Sequence, residues 1–445
     1  MKITASDLHG KKIGFFGIGE SNLSLLRTLP LENSEVVLRS DASLKKDSTP
    51  SYLAGCKIYD GEKALTNITE DILFLSPSAR RDRDELQAAK ERGTVLSSDA
   101  ELFYEHNTAP LYTVTGSDGK STTATLISEL FNKRMRTELI GNIGVPMFAS
   151  INSRCKAYVA ELSSFMLNYA VPKSRRACLT NITPNHLDWH TSEDEYVEAK
   201  LSLLRCADEA VLCYDENIMS RIGQKSIFAL TSHNATFEEL RRKYKAELYI
   251  TYEKNGIHRN GARLIEESAI VRKELYNIKN LMNAIATTHG TVSDEDIADV
   301  AKSFAGLPHR CEHVGRFRGI DFYDSSIDST PSRTRETLKS LKNPCVIILG
   351  GRSKGVSYLG LLDGIDQVRY AVICGENSEE IHHAIRGKVK SVTLDDFDSA
   401  VEFAAKLAEG CGTVLLSPAS TSYDRFSSYR ERGERFRQIA KNLQI

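Results

Sequence analysis

The chain alternates throughout between short apolar or β-branched runs and longer stretches whose apolar residues fall at helical spacing. Lys12–Phe16 (KIGFF), residues 35–38, Ile72–Leu75 and residues 94–96 read as strands, with a helix expected over 84–92. Leu111–Thr115 reads as a buried strand that breaks into a glycine-rich turn and a helix. Ala157–Glu161 and residues 177–180 continue the strands, and residues 196–205 the helices. Residues 247–253 alternate, and Asn255-Gly256 after them suggests a hairpin turn of type I′. A helix is expected over 279–286, strands over Cys345–Leu349, 370–374, 391–394 and Thr413–Leu416, and a charged closing helix over 430–441. Such alternation predicts an α/β protein with doubly wound, mostly parallel sheets. The texture changes around residues 100 and 305, and 445 residues are too many for one core. Three domains are expected: a Rossmann-like one over 1–100, a central P-loop ATPase-like one over 101–304, and a second Rossmann-like one over 305–445.

Candidate chemistry collects where strands end, the place where open α/β sheets bind ligands. Gly116-Ser117-Asp118-Gly119-Lys120-Ser121-Thr122 follows the strand Leu111–Thr115. A glycine turn entering a helix aims backbone N–H groups and the positive end of the helix dipole at one point. Lys120 adds a mobile charge, and Ser121 or Thr122 a hydroxyl suited to Mg²⁺, so the segment reads as a triphosphate cradle of shortened spacing. Glu161 ends another strand, and the stretch 181–190 gathers Asn185, His186, Asp188 and His190 around the only tryptophan, Trp189. Singly, Glu161 reads as a salt-bridged carboxylate, His186 as a structural histidine and Lys200 as a solvated lysine. Placement beside Lys120 makes Glu161 and His186 candidates for an Mg-ATP site. Gly17-Ile18-Gly19 is half of a dinucleotide fingerprint, with Asn22 where a third glycine would stand. Arg80 and Arg81, after the strand Ile72–Leu75, suit either a phosphate or a solvated charge run. A further glycine-rich exit, Gly350-Gly351-Arg352-Ser353-Lys354-Gly355, and the strand exit Ser417-Pro418-Ala419-Ser420 lie on the last domain. ATP in the middle and a substrate on each outer domain describes an ATP-dependent ligase.

Composition narrows the partners. A net charge of −1, with 41% hydrophobic and 26% charged residues, is that of a globular protein without the basic field that nucleic acid requires. Nine scattered cysteines without a C-x-x-C pair argue for reduced thiols and a cytoplasmic setting, and no run suggests a membrane span.

The ordered set GSDGKST, GNIGVP, ELSSF, NITPNHLDWH, LPHR, GGRSKG and LLSPASTSYDRF–YRERG resembles the Mur ligases of peptidoglycan synthesis across essentially the whole chain. The tail motif resembles the branch that adds D-glutamate. The resemblance implies an amide-forming ligase whose substrates are ATP, UDP-N-acetylmuramoyl-L-alanine and D-glutamate, with Mg²⁺ as cofactor and a monomeric, cytoplasmic protein. The L-alanyl carboxylate would take the γ-phosphoryl group of ATP, and the amine of D-glutamate would then displace phosphate from the acyl phosphate. By position, Gly116 through Thr122 would hold ATP, with Asn280, Asn283, Arg310 and Asp324. Ser121, Glu161, His186 and Lys200 would serve the metal, Lys200 as a carbamate. Gly19, Ser21, Ser76, Asn142 and Ser163 would face the UDP substrate, and His186, Lys354, Ser422 and Tyr429 the amino acid. Lys120, Glu161, His186, Lys200 and Lys354 would be the catalytic set.

The chain departs from the family pattern in the run Asp324-Ser325-Ser326-Ile327-Asp328-Ser329-Thr330, where Ser326 replaces a lysine. Arg333 is the candidate to restore that charge. Met166, Lys279 and the Arg39-Ser40-Asp41 stretch also differ from expectation. The alternatives are a family member using another amino acid, such as L-glutamate, and a catalytically silent nucleotide-binding partner subunit.

Overall fold

A computed structural model describes residues 3–41, 56–183, 189–222, 227–341, 343–353, 357–409 and 412–443. It divides into two compact units, Met1–Phe304 and Ala305–Ile445. The first unit holds two sheets and the second holds one.

The first sheet is wholly parallel, in the order Lys57–Asp60, Glu35–Ser40, Lys12–Phe16, Ile72–Leu75, Val95–Ser97. Its direction of winding reverses between Lys12–Phe16 and Ile72–Leu75, so the turn at Gly17 and the turn at Ser76 meet at the crevice. Asn22 closes the Gly17 turn: its side-chain amide donates to the carbonyls of Phe16 (2.9 Å) and Gly17 (2.8 Å). The residue that breaks the dinucleotide fingerprint thus staples the loop.

The second sheet has nine strands. Its parallel part runs Ala246–Glu253, Ile227–Ser232, Glu209–Cys213, Arg176–Leu179, Leu111–Thr115, Ala157–Glu161, Thr137–Gly141. Two antiparallel strands, Gly256–Arg259 and Ala262–Glu266, extend it. The hairpin sits one residue earlier than expected: Glu253 pairs with Gly256, and Lys254 and Asn255 are the two central residues, both left-handed. Leu111–Thr115 lies between the strands ending at Glu161 and Leu179, because the chain winds out to one side and then crosses to the other. That crossover brings Glu161 and the Thr180–Asn181 step to opposite flanks of the glycine turn.

The third sheet runs Glu312–Phe317, Ile320–Asp324, Thr413–Leu416, Cys345–Leu349, Val368–Ile373, Lys390–Thr393, parallel except for the first pair. The closing helix, Tyr429–Asn442, is held by a Ser428 cap that accepts from the Glu431 N–H. The eight cysteines among the described residues are unpaired, and no helix there is long and apolar enough to cross a membrane.

The largest fully buried side chain is Arg39. Its Nε and Nη2 donate to Glu70 at 2.8 and 3.1 Å, and Nη1 and Nη2 reach the carbonyls of Ala64, Thr66 and Asn67. Both side chains are shielded completely from solvent. Arg39 is therefore an internal tie between the strand Glu35–Ser40 and the loop that precedes Ile72–Leu75, and its fork is filled by the protein itself. Removing one partner of such a pair strands a buried charge. Glu70→Ala should cost about 3–5 kcal/mol, read as a lower urea midpoint for the first unit. The double variant Arg39→Met/Glu70→Leu should recover much of that loss.

Candidate active site

The glycine turn begins where Thr115 leaves its strand and ends at Gly119, which caps the helix Lys120–Asn132 from the left-handed region at φ 77°. A Cβ at Gly119 would run into the Asn280 amide oxygen, and one at Gly116 into the Thr180 hydroxyl. Both flanks therefore press on the loop. Thr180 Oγ1 donates to the Asp118 carbonyl (2.6 Å), and Asn181 Oδ1 accepts from the Asp118 N–H (2.9 Å). Ser117 Oγ donates to the Thr183 carbonyl (2.9 Å) and lies 2.6 Å from the Tyr196 hydroxyl. These bonds and contacts brace the loop from both flanks, an arrangement that limits the reorganisation its N–H groups need to meet an anion.

Two lysine amino groups grip one carbonyl of this loop. Lys120 Nζ donates to the oxygens of Gly116 (3.0 Å) and Ser117 (2.9 Å), and Lys200 Nζ donates to the same Gly116 oxygen (2.8 Å). Lys200 is only 1% exposed, with its Nζ 4.6 Å above the Tyr196 ring. The reading of Lys200 as a solvated lysine is overturned: it lies on the buried face of the helix Glu193–Cys206. Burial first, and the nearby charge of Lys120 second, push its pKa well below that of an ordinary lysine, against the pull of Asp118 and Glu161.

Glu161, also 1% exposed, faces the loop from the neighbouring strand. Asn142 holds it twice: the Asn142 side-chain amide donates to Oε1 (2.8 Å), and the Asn142 backbone N–H donates to the Glu161 carbonyl (2.9 Å). The second carboxylate oxygen, Oε2, is buried with no hydrogen-bond partner among the described residues. An orphaned carboxylate oxygen in a buried site is costly, and a hard divalent cation with oxygen ligands satisfies it. The donor set of Glu161 and the Ser121 hydroxyl suits Mg²⁺.

The structure brings Gly116 through Thr122, Glu161, Asn142, Lys200 and Asn280 together around the turn. Asn280 Oδ1 accepts from Thr123 Oγ1 at 3.3 Å, whereas Asn283 is fully buried and accepts from Thr231 Oγ1 (2.7 Å). Ser163 caps the short helix Ser164–Leu167 just beyond Glu161. Gly19, Ser21 and Ser76 lie at the exits of the first sheet, Gly19 as N-cap of the helix Glu20–Thr28. His186 and Lys354 lie outside the described residues. Tyr196, Thr180 and Asn181 escaped the sequence reading. Tyr196 precedes Lys200 by four residues, so helical spacing alone would have placed it on the same face.

In the second unit, three strand exits lie on neighbouring strands and are knotted by one side chain. Arg432 Nη2 donates to the carbonyls of Ser326 (2.9 Å) and Ser420 (3.0 Å), Nη1 to those of Thr421 (3.2 Å) and Gly350 (3.5 Å), and Nε to the Ser326 hydroxyl (3.0 Å). Burial lowers its pKa to about 10, against the pull of Asp424. Arg333 is exposed, so the guanidinium that meets Ser326 is that of Arg432. Gly433, the next residue, leaves room for the His309–Asp324 pair (2.7 Å) against the closing helix. His309, Glu312 and Asp324 cluster as metal ligands do, yet Arg437 contacts both Glu312 and Asp324 and supplies the cation. Ser422 is buried beside this knot, and the Tyr429 carbonyl accepts from Ser326 Oγ (2.8 Å). Arg310 precedes the first strand of this sheet.

A braced phosphate loop with a buried carboxylate and a buried lysine, within a three-sheet α/β chain, defines a P-loop nucleotide-binding enzyme. Residues 114–288 match the Mur ligase middle domain, and residues 309–420 the Mur ligase, glutamate ligase domain. The UDP-N-acetylmuramoylalanine--D-glutamate ligase of Clostridium perfringens is 30% identical, covering 98% of this chain and 98% of its own. That of Acetivibrio thermocellus is 33% identical, covering 98% and 97%. The chain belongs to the Mur ligase family, ATP-dependent enzymes that form amide bonds. The fold matches UDP-N-acetylmuramate-alanine ligase from Thermotoga maritima over 97% of this chain and 99% of that one (TM-score 0.60, 15% identity). A MurF ligase from the same organism, solved with ADP, matches over 99% and 97% (TM-score 0.54, 14% identity).

Gly119→Ala tests the preformed cradle. A left-handed alanine costs about 1–2 kcal/mol, and its methyl also displaces Asn280. ATP affinity, measured by calorimetry, should fall at least about tenfold while the protein remains folded.

Proposed function

We propose that the chain joins D-glutamate to the L-alanyl carboxylate of UDP-N-acetylmuramoyl-L-alanine, converting ATP to ADP and phosphate. The observation that carries this reading is the pairing of Lys120 and Lys200 on the Gly116 carbonyl opposite Glu161, in a chain 30–33% identical to D-glutamate ligases over nearly its full length. The turn from Gly116 to Thr122 takes the triphosphate, with Asn280 beside it. Asn283 braces the helix beneath. Gly19, Ser21 and Ser76, at the first sheet's crevice, take the UDP portion, and Asn142 and Ser163 orient its peptidyl end. Ser422 and Tyr429, with Lys354, form the amino-acid pocket.

A carboxylate is a poor acyl donor, and its attack on the γ-phosphoryl group brings two anions together. Lys120 and the loop N–H groups offset that repulsion, so the site works chiefly by charge and position. Glu161, Ser121, His186 and Lys200, the last as its carbamate, would hold Mg²⁺. When bound, the metal neutralises charge on the phosphates. The low lysine pKa at position 200 favours the neutral amine that carbamate formation needs. The amine of D-glutamate then attacks the acyl carbon, and phosphate departs carrying one former carboxylate oxygen. The active form is a monomer in the cytoplasm.

Phosphate release from the purified protein should require ATP, Mg²⁺, UDP-N-acetylmuramoyl-L-alanine and D-glutamate together. Equal turnover with L-glutamate or another amino acid would assign a different acceptor. Nucleotide binding without product in every combination would make the chain a silent partner subunit.

A further inference from the structure

Two arginines that the sequence left between phosphate contact and solvated charge are neither. The loop 76–82 leaves the first sheet and lies against the second, within the same compact unit. Arg80 stacks its guanidinium on the Trp189 ring at 4.9 Å and donates from Nη1 to the Trp189 carbonyl at 2.5 Å. Asp82 of its own loop accepts from Nε (2.9 Å) and Nη2 (2.5 Å), and Nη2 also lies 3.5 Å from Glu195 Oε1. Trp189 answers by donating its indole N–H to the Ser78 carbonyl at 2.8 Å. Arg81 is likewise taken up, by both carboxylate oxygens of Glu101 and by the Tyr169 ring.

What Arg80 grips leads to the reacting centre by short steps. Glu195 lies in the first turn of the helix that carries Lys200. The Trp189 ring packs at 4.5 Å on Phe165, in the short helix that Ser163 caps just after Glu161. His190 Nε2 lies 2.9 Å from Ser164 Oγ, and its ring sits 5.3 Å from that of Tyr196, which in turn underlies Lys200. One guanidinium thus joins the loop beside Ser76 to the elements that bear Glu161 and Lys200.

We propose that Arg80 is a positioning residue: its clamp on Trp189 and Glu195 makes occupancy of the first sheet's nucleotide crevice set the placement of Lys200 and Glu161 at the phosphate loop. This rests on the assignment of the UDP portion to that crevice. A partly shielded cation–π contact together with an ion pair holds geometry rather than supplying chemistry. Its loss should therefore lower turnover more than nucleotide binding.

Trp189 is the only tryptophan, so intrinsic fluorescence reads the clamp directly. UDP and, separately, UDP-N-acetylmuramoyl-L-alanine should each change the emission of the wild-type protein. Arg80→Ala should abolish that response, lower kcat by about 10- to 100-fold, and leave the KM for ATP unchanged. Arg80→Lys, which retains the charge, should fall between. Glu195→Gln should lower kcat as well, and the double variant should be no worse than Arg80→Ala. Thermal unfolding followed in parallel identifies any variant that fails to fold. An unresponsive wild-type indole, an equal response in folded Arg80→Ala, or wild-type kcat in that variant would overturn the proposal. Calorimetry of UDP binding to the same protein separates the two readings: absence of UDP binding refutes the crevice assignment, whereas binding with an unresponsive indole refutes the clamp.

Discussion

Two lysine amino groups on a single backbone oxygen form the constraint from which the rest of the active site follows. Lys120 and Lys200 both donate to Gly116, and burial together with the charge of Lys120 disfavours the protonated form of Lys200. The arrangement persists because surrounding packing fixes Lys200 and because Asp118 and Glu161 supply opposite charge. Everything nearby serves that arrangement: Asn142 aims Glu161, Tyr196 floors Lys200, and Thr180 and Asn181 clasp the turn. A site charged in this way is poised for a triphosphate and a metal, because both complete a charge pattern that the protein leaves open.

The topology explains why these groups meet. Leu111–Thr115 is the strand at which the second sheet reverses its winding, so the exits of its two neighbours flank its own. The third sheet repeats the device with different means. There Arg432, rather than a strand-exit lysine, ties three neighbouring exits through the carbonyls of Ser326, Ser420, Thr421 and Gly350. Arg432 and Gly433 stand side by side in the closing helix, and together they account for its packing against Ser326 and against the His309–Asp324 pair.

Much of this was legible in the residues. Gly116, Gly119 and Lys120 announce a phosphate loop because few other structures need glycine, glycine and lysine between a strand and a helix. Strand periodicity put Glu161 at an exit, where it is found. Lys200 was misjudged on its chemistry alone, although Tyr196, Val197, Leu201, Leu203 and Leu204 mark an apolar face that includes it. The hairpin at Lys254–Asn255 shows the limit of turn motifs: Asn-Gly is present, yet strand pairing draws Gly256 into the ladder. Arg39, Arg80 and Arg432 were opaque because their partners lie 31, 109 and 106 residues away, and pattern says nothing about such distances.

Activation of the carboxylate as an acyl phosphate is tested by an oxygen label. UDP-N-acetylmuramoyl-L-alanine carrying ¹⁸O at both carboxylate oxygens is turned over with ATP and D-glutamate, and the released phosphate is examined by mass spectrometry. The predicted result is one labelled oxygen transferred to each phosphate formed. Unlabelled phosphate accompanying amide product would contradict it.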